Sequence, residues 1–163
     1  MAAIHNNEIP EKTPIETIEI LSPDDFLRAK EFIALGEKLN CKNSIRYAVA
    51  HKSWKCAFSA GKPSRVIFTM ECTPKKWKIK ANLWNIDAYT EILSPCSEKI
   101  KTIIKTAYDC KSCSDRCKGG AAFTFENISY KKCNGCCFYF SDLEDDDWRS
   151  LRTLIQKEHE ARN

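Results

Sequence analysis

Residues 54–83 read WKCAFSAGKPSRVIFTMECTPKKWKIKANL, and the reading of this stretch decides the fold. Apolar and polar residues alternate along it with period two. Trp54, Cys56, Phe58 and Ala60 fall on one side of a first run, and Val66, Phe68, Met70 and Cys72 on one side of a second. Trp77, Ile79, Ala81 and Leu83 repeat the pattern in a third. Gly61-Lys62-Pro63 and Thr73-Pro74 break the runs. Successive side chains of a strand point to opposite faces, so each run can bury one face. Short turns between such runs predict an antiparallel meander with one apolar side.

The flanks supply helices to cover that side. Ser22-Pro23-Asp24-Asp25 combines a cap, a proline suited to the first helical position and acids suited to the positive end of the dipole. Phe26, Ala29, Ile33, Gly36 and Leu39 follow at helical spacing, predicting a helix to about Asn40. A short strand is expected over residues 17–21. Residues 86–93 read as a short helix. Ser94-Pro95 opens another, with Ile100, Ile103, Ile104 and Ala107 on one face, placed to pack on the meander. Two strands around Glu126-Asn127 and a third at Phe138-Tyr139-Phe140 are expected beyond it. Ser141-Asp142-Leu143-Glu144 has a capping-box pattern. Trp148, Leu151, Leu154 and Ile155 then form the stripe of a final helix predicted to fray near Glu158.

The fold class is therefore α+β: an antiparallel meander packed by helices, with a C-terminal cysteine-rich, zinc-ribbon-like hairpin and a final helix. The organisation expected is a flexible tail over residues 1–14, an α+β domain over 15–108, and a cysteine-rich unit with its helix over 109–160, packed on that domain.

Ten cysteines, four tryptophans and eight phenylalanines in 163 residues exclude a disordered chain. No run approaches the roughly 18 apolar residues of a membrane span, and the polar N-terminus has no apolar signal region. A cytoplasmic protein with reduced thiols and no membrane partner is expected. The net charge of +4 is mild and permits an acidic partner without requiring nucleic acid.

Six of the cysteines fall in residues 110–137: Cys110-x2-Cys113-x3-Cys117, then Cys133-x2-Cys136-Cys137. An x2 pair puts two sulfurs on one tight turn, and two such turns facing each other supply four thiolates in a tetrahedron. Lys111, Arg116, Lys118, Lys131 and Lys132 surround them, and nearby cations favour thiolate. Zinc is the leading cofactor, with Cys110, Cys113 and Cys133 in every ligand set. Cys136 takes the fourth position on spacing, and Cys117 competes for it. An iron–sulfur cluster accepts the same donors. The alternatives weighed are a redox CxxC and a set of packing thiols without metal. Cys137 alternates away from Cys136 and reads as packing. Cys56 and Cys72 fall on the inward face of the meander and read as small core residues. Four thiolates leave no open coordination position, which makes the metal structural.

A second feature is Lys75-Lys76-Trp77-Lys78-Ile79-Lys80. Lys76, Lys78 and Lys80 share the outer face of a strand, with Trp84 further along and Arg65 and Ile67 on the neighbouring strand. Such a face can track a nucleic-acid backbone and stack a base. The simpler reading is a set of lysines keeping an open sheet soluble, and the sequence favours it. The three histidines, His5, His51 and His159, enter no catalytic set with spacing logic, and no site for catalysis is assigned.

The run Cys-x2-Cys-x3-Cys-Lys-Gly-Gly, with Phe-Thr-Phe, Tyr-Lys-Lys-Cys and a closing amphipathic helix, resembles a group of small bacterial cysteine-rich proteins. The helix and meander are similar in layout to YdhG-like and YjbR-like α+β domains, over roughly residues 22–157. The resemblance implies a fold and no reaction. Three functions follow as expectations. The first is a zinc-stabilised binding or regulatory protein for an unidentified protein or small-molecule ligand. The second is a nucleic-acid-binding protein using the basic face, and the third a thiol- or metal-based redox sensor.

Overall fold

The computed structural model describes residues 10–106, 121–132 and 137–163. The meander is present as β2 (Ser53–Ala60), β3 (Arg65–Thr73) and β4 (Lys76–Asn82), all antiparallel. Two strands extend it. β1 (Lys42–Ala48) pairs with β2, and β7 (Cys137–Phe140) pairs with β4, giving a five-stranded sheet of order β1-β2-β3-β4-β7. β5 (Ala121–Phe125) and β6 (Ile128–Lys132) form a separate hairpin. Its turn residues Glu126 and Asn127 both have positive φ, 50° and 63°, as the tight hairpin turns require.

β1 escapes the periodic pattern because it is an edge strand. Only Ile45, Tyr47 and Ala48 of its seven residues gain any burial, so its sequence carries only a short apolar signal. In β3, Ser59 of β2 faces Val66 while Phe58 faces Phe68, which leaves Ile67 as the extra residue of a bulge. Ile67 and Phe68 are both fully buried. The expectation that Ile67 shares the outer face is corrected by that bulge.

The described residues also form helices α1 (Pro14–Ile18), α2 (Pro23–Lys38), α3 (Thr90–Leu93), α4 (Glu98–Lys105) and α5 (Asp145–Arg162), with 3-10 turns over Val49–His51 and Ile86–Tyr89. The strand expected over residues 17–21 is instead the end of α1 and the turn that follows it. Thr13 donates to the Glu16 carboxylate from both its backbone N–H and its hydroxyl, each at 2.7 Å, and Pro14 fits the first turn. Local capping wins over a short Thr-Ile-Glu-Ile alternation. Ser22 caps α2 as expected, its hydroxyl accepting from Asp25 N–H at 3.3 Å.

The inner sheet face meets α2 and α5 through aromatic rings. Phe32 of α2 makes edge contacts with Phe68, Trp77 and Trp148 at centroid distances of 6.2, 6.0 and 5.7 Å. Trp148 of α5 stacks on Trp77 at 4.6 Å. Phe58 stacks on Phe68, also at 4.6 Å. The β5–β6 hairpin joins this core through Phe123, which meets Phe138 edge-on at 6.0 Å.

Two acidic residues of α5 are structural. Asp147, in the first turn of α5, is buried. It accepts from the backbone N–H of Ser97 at 3.2 Å and from the Ser97 hydroxyl, holding the residue that caps α4. Glu158, where fraying was expected, is fully buried, and α5 continues one more turn to Arg162. α5 also begins at Asp145 with Glu144 at its cap position, so Ser141 is not the cap. None of the helices formed by the described residues is long and apolar enough to cross a membrane.

Candidate anion-binding sheet face

The helices and the β5–β6 hairpin pack on one side of the sheet, and the other side keeps its own chemistry. Register places Arg46 beside Lys55, Lys55 beside Glu71, Glu71 beside Lys78, and Lys80 beside Tyr139 on that outer face. This row crosses all five strands. Two concavities lie along it, of about 450 and 360 Å³. None of their lining residues comes from an α-helix.

The larger concavity has Glu71 at its centre. Lys55 and Lys78 reach the two Glu71 oxygens at 2.7 and 2.9 Å. Burial acts to raise the Glu71 carboxyl, but the hydrogen bonds from Lys55 and Lys78 outweigh it and hold the group below the usual carboxylate range. Glu71 therefore stays ionised at neutral pH and orders the two ammonium groups as a pair. His51, Ser53, Lys76 and Ser141 form other parts of the wall. The Ser53 hydroxyl is buried and has no hydrogen-bond partner among the described residues.

Tyr139 is the aromatic of this face. Its side chain is partly exposed, and the Lys78 and Lys80 ammonium groups lie 5.0 and 5.6 Å from its ring centroid. Burial acts to lower Lys80, yet its neighbours Cys137 and Tyr139 hold it above its ordinary value, so it is fully charged at neutral pH. The smaller concavity continues the row with Arg46, Lys55 and Lys80.

Lys76, Lys78 and Lys80 thus sit where the sequence placed them, on one outer face. Trp84 does not join them. It lies past the end of β4, with the Arg162 and Arg65 guanidinium carbons 3.8 and 5.5 Å from its ring centroid, and it lines a different cavity with Gly61, Pro63 and Arg162. Tyr139, rather than Trp84, is the partly exposed aromatic beside Lys78 and Lys80. Sequence reasoning found its strand but not the β4–β7 pairing, because about 50 residues of chain separate the two and no local pattern records which strands meet.

The cysteine ligands Cys110, Cys113, Cys117, Cys133 and Cys136 lie outside the described residues. What is described is the hairpin between the two cysteine groups. Ala121 and Lys132 are cross-strand partners, so the chain enters and leaves this hairpin at one end. Among the described residues, no group of three or more His, Cys, Asp or Glu is arranged to hold a metal. The five described cysteines are free thiols. Cys56 and Cys72 are buried on the inner face as expected, and burial pushes both up to about 12. Burial also raises Cys41, Cys96 and Cys137, with Lys80 opposing the shift at Cys137. These are packing thiols, poor nucleophiles at neutral pH.

Comparison of the chain with protein-family models, curated proteins and solved structures gave no match.

Proposed function

We propose that this protein is a binding module that holds an anionic ligand on the open face of its five-stranded sheet, braced by a structural zinc ion at the cysteine-rich segment. The observation that carries the first part is the charge of that face. Among the described residues, Arg46, Lys55, Lys76, Lys78 and Lys80 stand on it against a single carboxylate, Glu71. Lysines that only kept a sheet soluble would need no shared concavity, and two of these are instead fixed around Glu71 within one.

Binding to polyphosphate, an anion without other chemistry, tests this reading. The wild-type chain should bind it at low salt and release it steeply as salt rises. Lys76→Gln with Lys80→Gln should weaken binding about tenfold and flatten the salt dependence, with an unchanged circular dichroism spectrum. Lys30→Gln, at an exposed position of α2, should change nothing. Equal binding by all three proteins, or none by the wild type, contradicts the proposal.

The zinc part rests on the cysteine spacing and on the hairpin whose paired ends flank the two cysteine groups. Protein purified without added metal should contain stoichiometric zinc by elemental analysis. A strong chelator should remove it and lower the melting temperature. Stoichiometric iron with visible colour would replace zinc by an iron–sulfur cluster, and metal-free folded protein would remove the metal altogether.

A further inference from the structure

We infer that the ligand of the open face is single-stranded nucleic acid, which stacks a base on Tyr139 and runs its phosphates along the lysines of β4 and the cations of β1 and β2. The inference rests on the reading of this face as an anion site, and it names the anion.

Three features carry it. The first is continuity. The two concavities share Lys55, so the cations form one surface from Lys76 and Lys78 at one end to Arg46 and Lys80 at the other, broken only by Glu71 among the described residues. A compact anion would need one of them, whereas a polymer uses both. The second is spacing. Lys76, Lys78 and Lys80 alternate along one strand, about 6.6 Å apart in rise, close to one nucleotide of an extended chain. A regular row of single charges suits a backbone with one charge per unit.

The third is the ring. Tyr139 is 39% exposed on the edge strand β7, directly beside the Lys78 and Lys80 ammonium groups. A polyanion without bases has no use for an aromatic there. Lys78 and Lys80 now rest over it, a contact that is weak when exposed to water. A base stacking on the ring outweighs that contact, and the displaced ammonium groups find phosphates on the same strand. Glu71 keeps Lys55 and Lys78 ordered and repels a backbone that runs across the centre, which fixes the path of the strand.

A duplex fits this surface poorly. Its bases are stacked inside and cannot reach Tyr139, and a gently concave sheet does not enter a groove.

The test uses the full chain, a short labelled single strand of mixed sequence, and unlabelled polyphosphate and duplex as competitors, read by fluorescence anisotropy. The wild type should prefer the single strand to both competitors. Tyr139→Leu should bind the strand about tenfold more weakly and polyphosphate unchanged, while Tyr139→Phe should behave as wild type. Tyr139 is partly exposed on an edge strand, and equal polyphosphate binding by all variants shows that the fold is kept. If Tyr139→Leu binds the strand as wild type does, or if duplex or polyphosphate competes equally well, the nucleic-acid assignment is overturned and the anion site stands. If the wild type binds neither strand nor polyphosphate, both readings fall.

Discussion

Replacing Glu158 with alanine should destabilise the protein by about 3–5 kcal/mol, the usual cost of removing one partner of a buried charged network. Glu158 has no exposed surface, and five donors converge on its two oxygens. The Tyr89 hydroxyl donates at 2.6 Å and the Arg162 Nε at 2.9 Å. The backbone N–H groups of Trp84 and Asn85 donate at 3.0 and 3.3 Å, and the Asn85 side-chain amide at 3.3 Å. Burial and the bond to Glu158 push the Tyr89 phenol above its ordinary value, so it remains a donor throughout the physiological range. Arg162 also donates to the carbonyls of Val66 at 3.1 Å and Asn82 at 2.6 Å, which ties the last turn of α5 to β3 and β4. Alanine would strand a nearly buried guanidinium and two backbone donors at once. Against a total stability of about 5–15 kcal/mol, that is a large fraction. Tyr89→Phe removes one bond only and should cost about 1 kcal/mol. Urea unfolding of the two variants separates them. A loss below about 1 kcal/mol for Glu158→Ala would mean that the network is not formed in solution.

Gly36→Val should be comparably damaging, although valine is a better helix residue than glycine. In an exposed helix interior, filling a glycine stabilises by a few tenths of a kcal/mol to about 1 kcal/mol. At Gly36 an added Cβ would lie 2.4 and 2.5 Å from Cδ1 and Cε1 of Phe58. That ring cannot withdraw. It is buried and stacked on Phe68, which in turn meets Phe32 of the same helix. Either α2 lifts off the sheet or the ring pair leaves its packing, and overpacking of this kind costs about 1–3 kcal/mol for a first carbon and more for a branched side chain. Gly36→Ala should therefore destabilise by about 1–2 kcal/mol and Gly36→Val by about 3 kcal/mol or more. Phe58→Leu, itself destabilising, should reduce the additional cost of Gly36→Ala, because the two share one contact. Independent, additive effects in denaturant melts would show that α2 does not approach β2 as described.

The meander was legible because its signal is local. Each of Trp54, Phe58, Phe68, Met70, Trp77 and Ile79 is set inward by period two, and nothing outside the strands is needed to see it. The helix stripes were legible for the same reason. What local pattern missed was long-range or hidden by charge. β1 carries only a short apolar signal, Ile45 and Tyr47, because as an edge strand it is only partly covered, and the pairing of β7 with β4 depends on the intervening chain rather than on either strand. Glu158 was hidden among Lys157, His159 and Glu160, a tract that reads as solvated. Its spacing from Leu151, Leu154 and Ile155 places it on their buried stripe, and that spacing was the available clue. Similarly, Lys76, Lys78 and Lys80 announced an outer face, but Tyr139 could join them only through tertiary pairing.

The helices occupy one side of the sheet, and the proposed ligand occupies the other. Backbone amide NMR of the full chain, titrated with polyphosphate, tests it most directly. Shifts should be confined to the outer-face strand positions around Lys55, Glu71, Lys78, Lys80 and Tyr139 and reversed by salt, with the amides of α2 and α5 unmoved. Shifts centred on α2 and α5, or spread without regard to the sheet face, would contradict it.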